Sequence, residues 1–135
     1  MMEKAGLTLR VDLGGGRAVG PGKIHLLEQI HESGSIMQAG RDLGLSYRRA
    51  WLLINDLNNS FRFPVIEAAT GGIGGGGTRL TPFGRKLVQL YQTIEAEALA
   101  ATWKRRRELQ AALKTAKPGL RNSIKRPLSN ASARR

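Results

Sequence analysis

The chain has 135 residues, 22 Lys plus Arg against 10 Asp plus Glu, and no cysteine. That length allows one ordinary domain with a modest core, and the missing thiols exclude a disulfide framework, a thiolate zinc site and a cysteine nucleophile. A net charge of +12 points to a polyanionic partner, nucleic acid ahead of an anionic membrane surface.

The stretch Leu7 to Leu13 alternates apolar and polar residues at period two, which predicts a half-buried strand ended by Gly14-Gly15-Gly16. Pro21 opens a helix to about Glu32, with Ile24, Leu26, Leu27 and Ile30 inward. Gly34 suits a left-handed helix end, and Ser35 caps a second helix over Ile36 to Leu43 that buries Ile36, Ala39 and Leu43. Gly44 stops that helix and Ser46 caps a third, Tyr47 to about Asn59, with Ala50, Ile54 and Leu57 at core spacing. Two short helices joined so briefly describe a helix-turn-helix.

Val65 to Ala69 then predicts a strand and Arg79 to Thr81 a shorter one, separated by a glycine-rich tip. A hairpin in that position makes a wing. Pro82 opens a last helix with Phe83, Leu87, Leu90, Tyr91, Ile94, Ala98 and Ala101 on one stripe. Continued through Leu113 it would span roughly 35 residues, or about 50 Å, and a partner helix is expected to cover the stripe. The expected fold is therefore mainly α with a small β wing: a winged helix-turn-helix with a long C-terminal dimerisation helix. Domain limits are expected at 1–116, with 117–135 a basic, disordered tail. The charge follows the same division, because residues 1–103 hold 11 basic and 9 acidic residues, whereas 104–135 hold 11 basic residues and only Glu108.

Catalytic and metal chemistry find little support. Gly72 to Gly77 satisfies G-x-G-x-x-G, but a strand, not a helix, is expected to follow it. His25 and His31 lack the i, i+4 spacing of a helical metal pair. No grouping of catalytic residues stands out, so neither an enzyme nor a cofactor is expected. No apolar run approaches the ~18 residues of a membrane span, and Met1 to Gly6 lacks the apolar stretch of a signal peptide. A cytoplasmic protein without a membrane partner is expected.

The start of the third helix carries the most chemistry. In a helix-turn-helix these residues meet base edges, so Arg48 and Arg49 could bond guanine or clamp phosphates, with Tyr47 on phosphate or sugar. Trp51 reads as structural. Ser35 and Gln38 are candidate phosphate contacts at the second helix's start, and Thr78 and Arg79 are candidates beside the wing tip.

Taken together, Gly34-Ser35-Ile36, Gln38-Ala39, Ser46-Tyr47-Arg48-Arg49-Ala50-Trp51, Ala69-Thr70-Gly71-Gly72-Ile73-Gly74-Gly75-Gly76-Gly77 and Leu80-Thr81 resemble the N-terminal DNA-binding domain of the molybdate-responsive transcriptional regulator (ModE) family. That domain is related to the winged helix-turn-helix of LysR-type regulators. The resemblance covers about residues 7–105. It implies a homodimer on a palindromic operator of double-stranded DNA, with Ser46, Tyr47 and Arg48 at the DNA face. It also brings the wing, with Thr70, Gly72 and Gly74, toward backbone or minor groove. Ile73 stands where members often carry a lysine. Full-length members continue into molybdate-binding domains, and molybdate is not expected to bind this chain. A winged-helix protein-interaction module, or a nonspecific nucleic-acid binder driven by the tail, is the alternative function.

Overall fold

The computed structural model describes residues 5–72 and 75–115. Four helices and two hairpins follow in the order β1 (Val11–Gly14), β2 (Arg17–Val19), α1 (Pro21–Ser33), α2 (Ile36–Asp42), α3 (Tyr47–Ser60), β3 (Ile66–Gly72), β4 (Gly75–Leu80) and α4 (Pro82–Ala111). The chain divides into two compact units, 1–100 and 101–135. The first is a winged helix-turn-helix.

Local chemistry sets each helix boundary. Pro21 stands at the start of α1, and Gly34, at φ 72°, ends it by donating its N–H to the Ile30 carbonyl at 2.8 Å. Ser35 and Ser46 cap α2 and α3, each hydroxyl accepting a backbone N–H three residues on, from Gln38 and Arg49, at 3.0 Å. Ile24, Leu26, Leu27 and Ile30 of α1, Ile36 and Ala39 of α2, and Ala50, Ile54 and Leu57 of α3 form one core with Val65, Leu80, Leu87, Val88 and Tyr91. Leu43 and Trp51 pack on its margin.

Two expectations are corrected. The first strand is confined to Val11–Gly14, and Gly14-Gly15-Gly16, all at positive φ, form a turn into the returning strand β2. Only Arg17–Val19 remain before Gly20 and Pro21 begin α1, so the ladder has no partner to extend over residues 7–10. The wing strands, by contrast, run into the glycine-rich segment, with Ala69 opposite Gly77 and Gly72 opposite Gly75. Glycine's low strand propensity is overridden there because Ile66–Leu80 pairing fixes the register from the core end. Gly74 and residues 117–135 lie outside the described residues.

The junction of wing and α4 is tied by several hydrogen bonds. Buried Thr81 donates its hydroxyl to the Pro64 carbonyl at 2.6 Å and accepts the Gly84 N–H at 2.9 Å, capping α4. Its own N–H bonds the Val65 carbonyl at 3.0 Å. Asn58, late in α3, accepts the Val65 N–H at 2.9 Å and so ties the loop before the wing to the third helix.

Tyr91 is 3% exposed and donates its hydroxyl to the Leu9 carbonyl at 2.5 Å. Burial, and secondarily the charge of Glu95, push its phenol above the ordinary tyrosine value. The folded state thus holds this proton more tightly than the unfolded chain does. Its contribution is complete below pH of about 10 and is lost as pH rises through the raised folded value. Thermal melts across this range should show wild type losing stability at the alkaline end more steeply than Tyr91→Phe. At neutral pH the variant should be about 1 kcal/mol less stable, from the lost hydrogen bond.

In the second unit, Lys104 Nζ and the Arg107 guanidinium lie 5.9 and 5.7 Å from the Trp103 ring centroid. Arg105 pairs with Glu108 one turn on. Among the described residues, no helix is long and apolar enough to cross a membrane.

Candidate nucleic-acid interface

Helix α3 sorts its residues by face. Ala50, Ile54 and Leu57 are buried, and Arg48, Leu52, Asn55 and Asn59 are exposed. At 3.6 residues per turn these four fall within about 60° of one another, opposite the core line. Arg49 is exposed to one side of the line, and Tyr47, 51% exposed, to the other. The Tyr47 ring stands edge-on to Trp51 with centroids 6.3 Å apart, which fixes the phenol's direction at the start of the helix. Among the described residues neither Arg48 nor Arg49 has an ion-pair partner. Two guanidinium groups are thus presented from the first turn with their donors uncommitted.

Ser46 and Ser35 bring their hydroxyls to the same ends of their helices, but each oxygen already accepts a capping N–H. Such a hydroxyl still has its proton to donate to a phosphate oxygen. Gln38 is exposed and its amide donates to Asp42 at 2.9 Å, one turn along α2.

The wing is anchored to this surface by backbone. The Thr78 N–H donates to the Gly34 carbonyl at 2.9 Å, joining β4 to the turn between α1 and α2. A Cβ at Gly77 would stand 2.9 Å from that same oxygen, so a larger residue would push the strand away. Thr70 is exposed near the end of β3, and Gly72 closes that strand. Arg79 pairs with Glu67 directly across the hairpin at 2.9 Å. Both side chains are well exposed, so the pair is weak enough to open toward a phosphate.

The stripe expected on α4 divides. Leu87 and Tyr91 belong to the domain's own core, whereas Leu90 and Ile94 are 48% and 41% exposed. They border an apolar hollow of 160 Å³ with Val11, Leu13, Val19 and Phe61, and Leu13 is itself 44% exposed. Ala98 is half-buried and Ala101 exposed. A larger hollow of 460 Å³, bordered by Glu28, Gln29, His31 and Glu32 of α1, by Leu80 and by Arg85, Val88, Gln89 and Gln92 of α4, contains none of the residues expected to face DNA.

No structural role for Thr81, Asn58 or the Gly77–Gly34 approach is legible in the sequence, because each depends on a partner outside its own helix or strand. The outward line Arg48-Leu52-Asn55-Asn59 was detectable, since it is what remains when the i, i+4, i+7 core positions are removed from α3.

Comparison with known proteins agrees with this geometry. Residues 22–85, from the start of α1 to the first turn of α4, match the family of bacterial regulatory helix-turn-helix proteins, lysR family. These residues are a LysR-family helix-turn-helix domain. The chain is 47% identical over 74 residues to the DNA-binding transcriptional dual regulator ModE of Escherichia coli strain K12, covering 55% of this chain and 28% of that protein. It is 46% identical over 81 residues to the molybdenum-pterin-binding protein MopB of Rhodobacter capsulatus, 60% of this chain and 30% of the relative. Identity with the molybdenum transport protein ModE of Azotobacter vinelandii is 39% over 97 residues, 72% of this chain and 35% of the relative. The matched stretch is about a third of the length of these relatives, and it contains the LysR-family domain.

Proposed function

We propose that the protein is a sequence-specific DNA-binding transcriptional regulator of the molybdate-responsive type, binding a palindromic operator as a homodimer in the cytoplasm. The observation that carries the reading is the start of α3, where Arg48 and Arg49 project uncommitted beside an exposed Tyr47 held edge-on to Trp51, from a helix fixed by the Ser46 cap. With α3 in the major groove, Arg48 reaches base edges, and Arg49 and Tyr47 reach the flanking strands. Ser35 and Gln38 approach phosphates from α2. Thr70, Gly72, Thr78 and Arg79 approach backbone or minor groove from the wing, which the Thr78–Gly34 bond holds in register with the helices. Residues 1–116 form the DNA-binding unit, and the basic residues of 104–135 add affinity with little sequence choice.

The dimer contact in this reading is made by Leu90 and Ile94 of α4 with Leu13 of the first hairpin. Their exposure leaves an apolar face with a hollow, and a second copy buries it symmetrically. Leu87 and Tyr91 support that face from beneath, and the expected contact continues along α4 to Ala98 and Ala101. Light scattering should give twice the chain mass for wild type and the single chain mass for Leu90→Asp and Ile94→Asp. Both variants should retain helical circular dichroism, because neither side chain belongs to the core. A wild-type monomer at concentrations of tens of micromolar would contradict the dimer.

A further inference from the structure

Leu52 is 43% exposed on a helix whose other leucines and isoleucine, Leu53, Ile54 and Leu57, lie in or against the core. It occupies the middle of the outward line, one turn after Arg48, one turn before Asn55 and two turns before Asn59. A solitary exposed leucine needs no explanation on most surfaces. On this line its neighbours are all groups that bond base edges, and it has no hydrogen-bonding atom of its own.

We propose that Leu52 selects thymine, through contact with the 5-methyl group in the major groove, and so sets one position of the preferred site. The proposal rests on the DNA-binding reading above. Thymine is the base that presents an apolar group in the major groove; guanine, adenine and cytosine present donors and acceptors, which an aliphatic side chain cannot satisfy. Placed against one of those, Leu52 would strip water from a polar edge without replacing its hydrogen bonds. The position of the thymine follows from the helix. Four residues at 1.5 Å each place Leu52 about 6 Å along the axis from Arg48, and stacked base pairs are about 3.4 Å apart. For a helix lying along the groove, the thymine is about two base pairs from the base that Arg48 contacts. Asn55, about 4.5 Å further along, then faces the next pair, where its amide matches adenine N6 and N7.

Replacing thymine by deoxyuridine removes the methyl group and leaves every donor and acceptor in place, so it isolates this contact. With the full chain and its preferred duplex, each thymine of a half-site is replaced in turn and affinity is measured by fluorescence anisotropy. One position, one to three base pairs from the Arg48-dependent base, should weaken wild-type binding about fourfold, the equivalent of ~0.8 kcal/mol for one buried methyl. Leu52→Ala and Leu52→Gln should bind the thymine and deoxyuridine duplexes at that position equally, and Leu52→Met should keep the preference. Leu52 lies outside the core, and unchanged melting of the variants checks that the fold is kept. The proposal is overturned if no thymine is sensitive, or if the sensitivity persists in both Leu52→Ala and Leu52→Gln. Failure to obtain any preferred duplex overturns the DNA-binding reading itself, and this proposal with it, which distinguishes the two failures.

Discussion

Arg48→Ala should weaken binding to the preferred duplex by about 1–3 kcal/mol, roughly five- to 150-fold, while changing affinity for a scrambled duplex far less. The expectation comes from placement. Arg48 is exposed in the first turn of α3, on the line opposite Ala50, Ile54 and Leu57, and has no partner among the described residues. Its removal therefore leaves the fold intact, and the loss appears in binding alone. Arg48→Lys should recover the charge but not the preference, because an ammonium cannot form the bidentate fork that a guanidinium makes with guanine O6 and N7. Equal weakening on every duplex would place Arg48 on a phosphate instead. Arg79→Ala is the contrasting case. Its guanidinium already pairs with Glu67, and any DNA contact it makes lies on the wing, so its loss should be small and similar across sequences.

Gly84→Ala should destabilise the domain by about 3 kcal/mol or more, from overpacking against backbone. For a domain of this size that corresponds to a fall in melting temperature of roughly 12–24 °C. A Cβ at position 84 would stand 2.2 Å from the Val65 carbonyl oxygen and 3.1 Å from its carbon. That oxygen cannot easily withdraw, since it accepts the Thr81 N–H, and Val65 is fully buried with its own N–H held by Asn58. Either α4 shifts its first turn or the wing's base does, and both moves break the Thr81 cap. Gly22→Ala provides the control, because that helical glycine has nothing within 4 Å of the added carbon. It should leave stability unchanged or raise it by up to about 1 kcal/mol. Melting of Gly84→Ala within 2 or 3 °C of wild type (about half a kcal/mol) would show that the junction is looser than its geometry.

These two sites differ in how readable they are. Arg48 could be located from sequence because the capping serine, the helix period and the core spacing are all local signals within about a dozen residues. The same signals place α1, α2 and α3 within a residue or two of their observed ends. Gly84 could not be singled out, because its constraint is the carbonyl of a residue 19 positions earlier, brought close only when the wing folds. The β1–β2 hairpin was missed for a related reason: Arg17–Val19 is too short to display a period of its own. The glycine-rich wing misled in the opposite sense, since residue type predicts strands that end at Ala69 and resume at Arg79, whereas the ladder extends to Gly72 and Gly75. On α4 the apolar stripe was correctly seen as continuous, but periodicity cannot tell a residue facing its own core, such as Leu87 or Tyr91, from one left exposed, such as Leu90 or Ile94.

Selection of bound duplexes from a random double-stranded library, at several salt concentrations, tests the central claim most directly. Specific recognition by a symmetric dimer predicts a palindrome whose half-sites are centred about one helical turn apart, or a multiple of it. Affinity should fall with salt at a slope near −0.9 per neutralised phosphate. No enriched sequence at any salt concentration would contradict it.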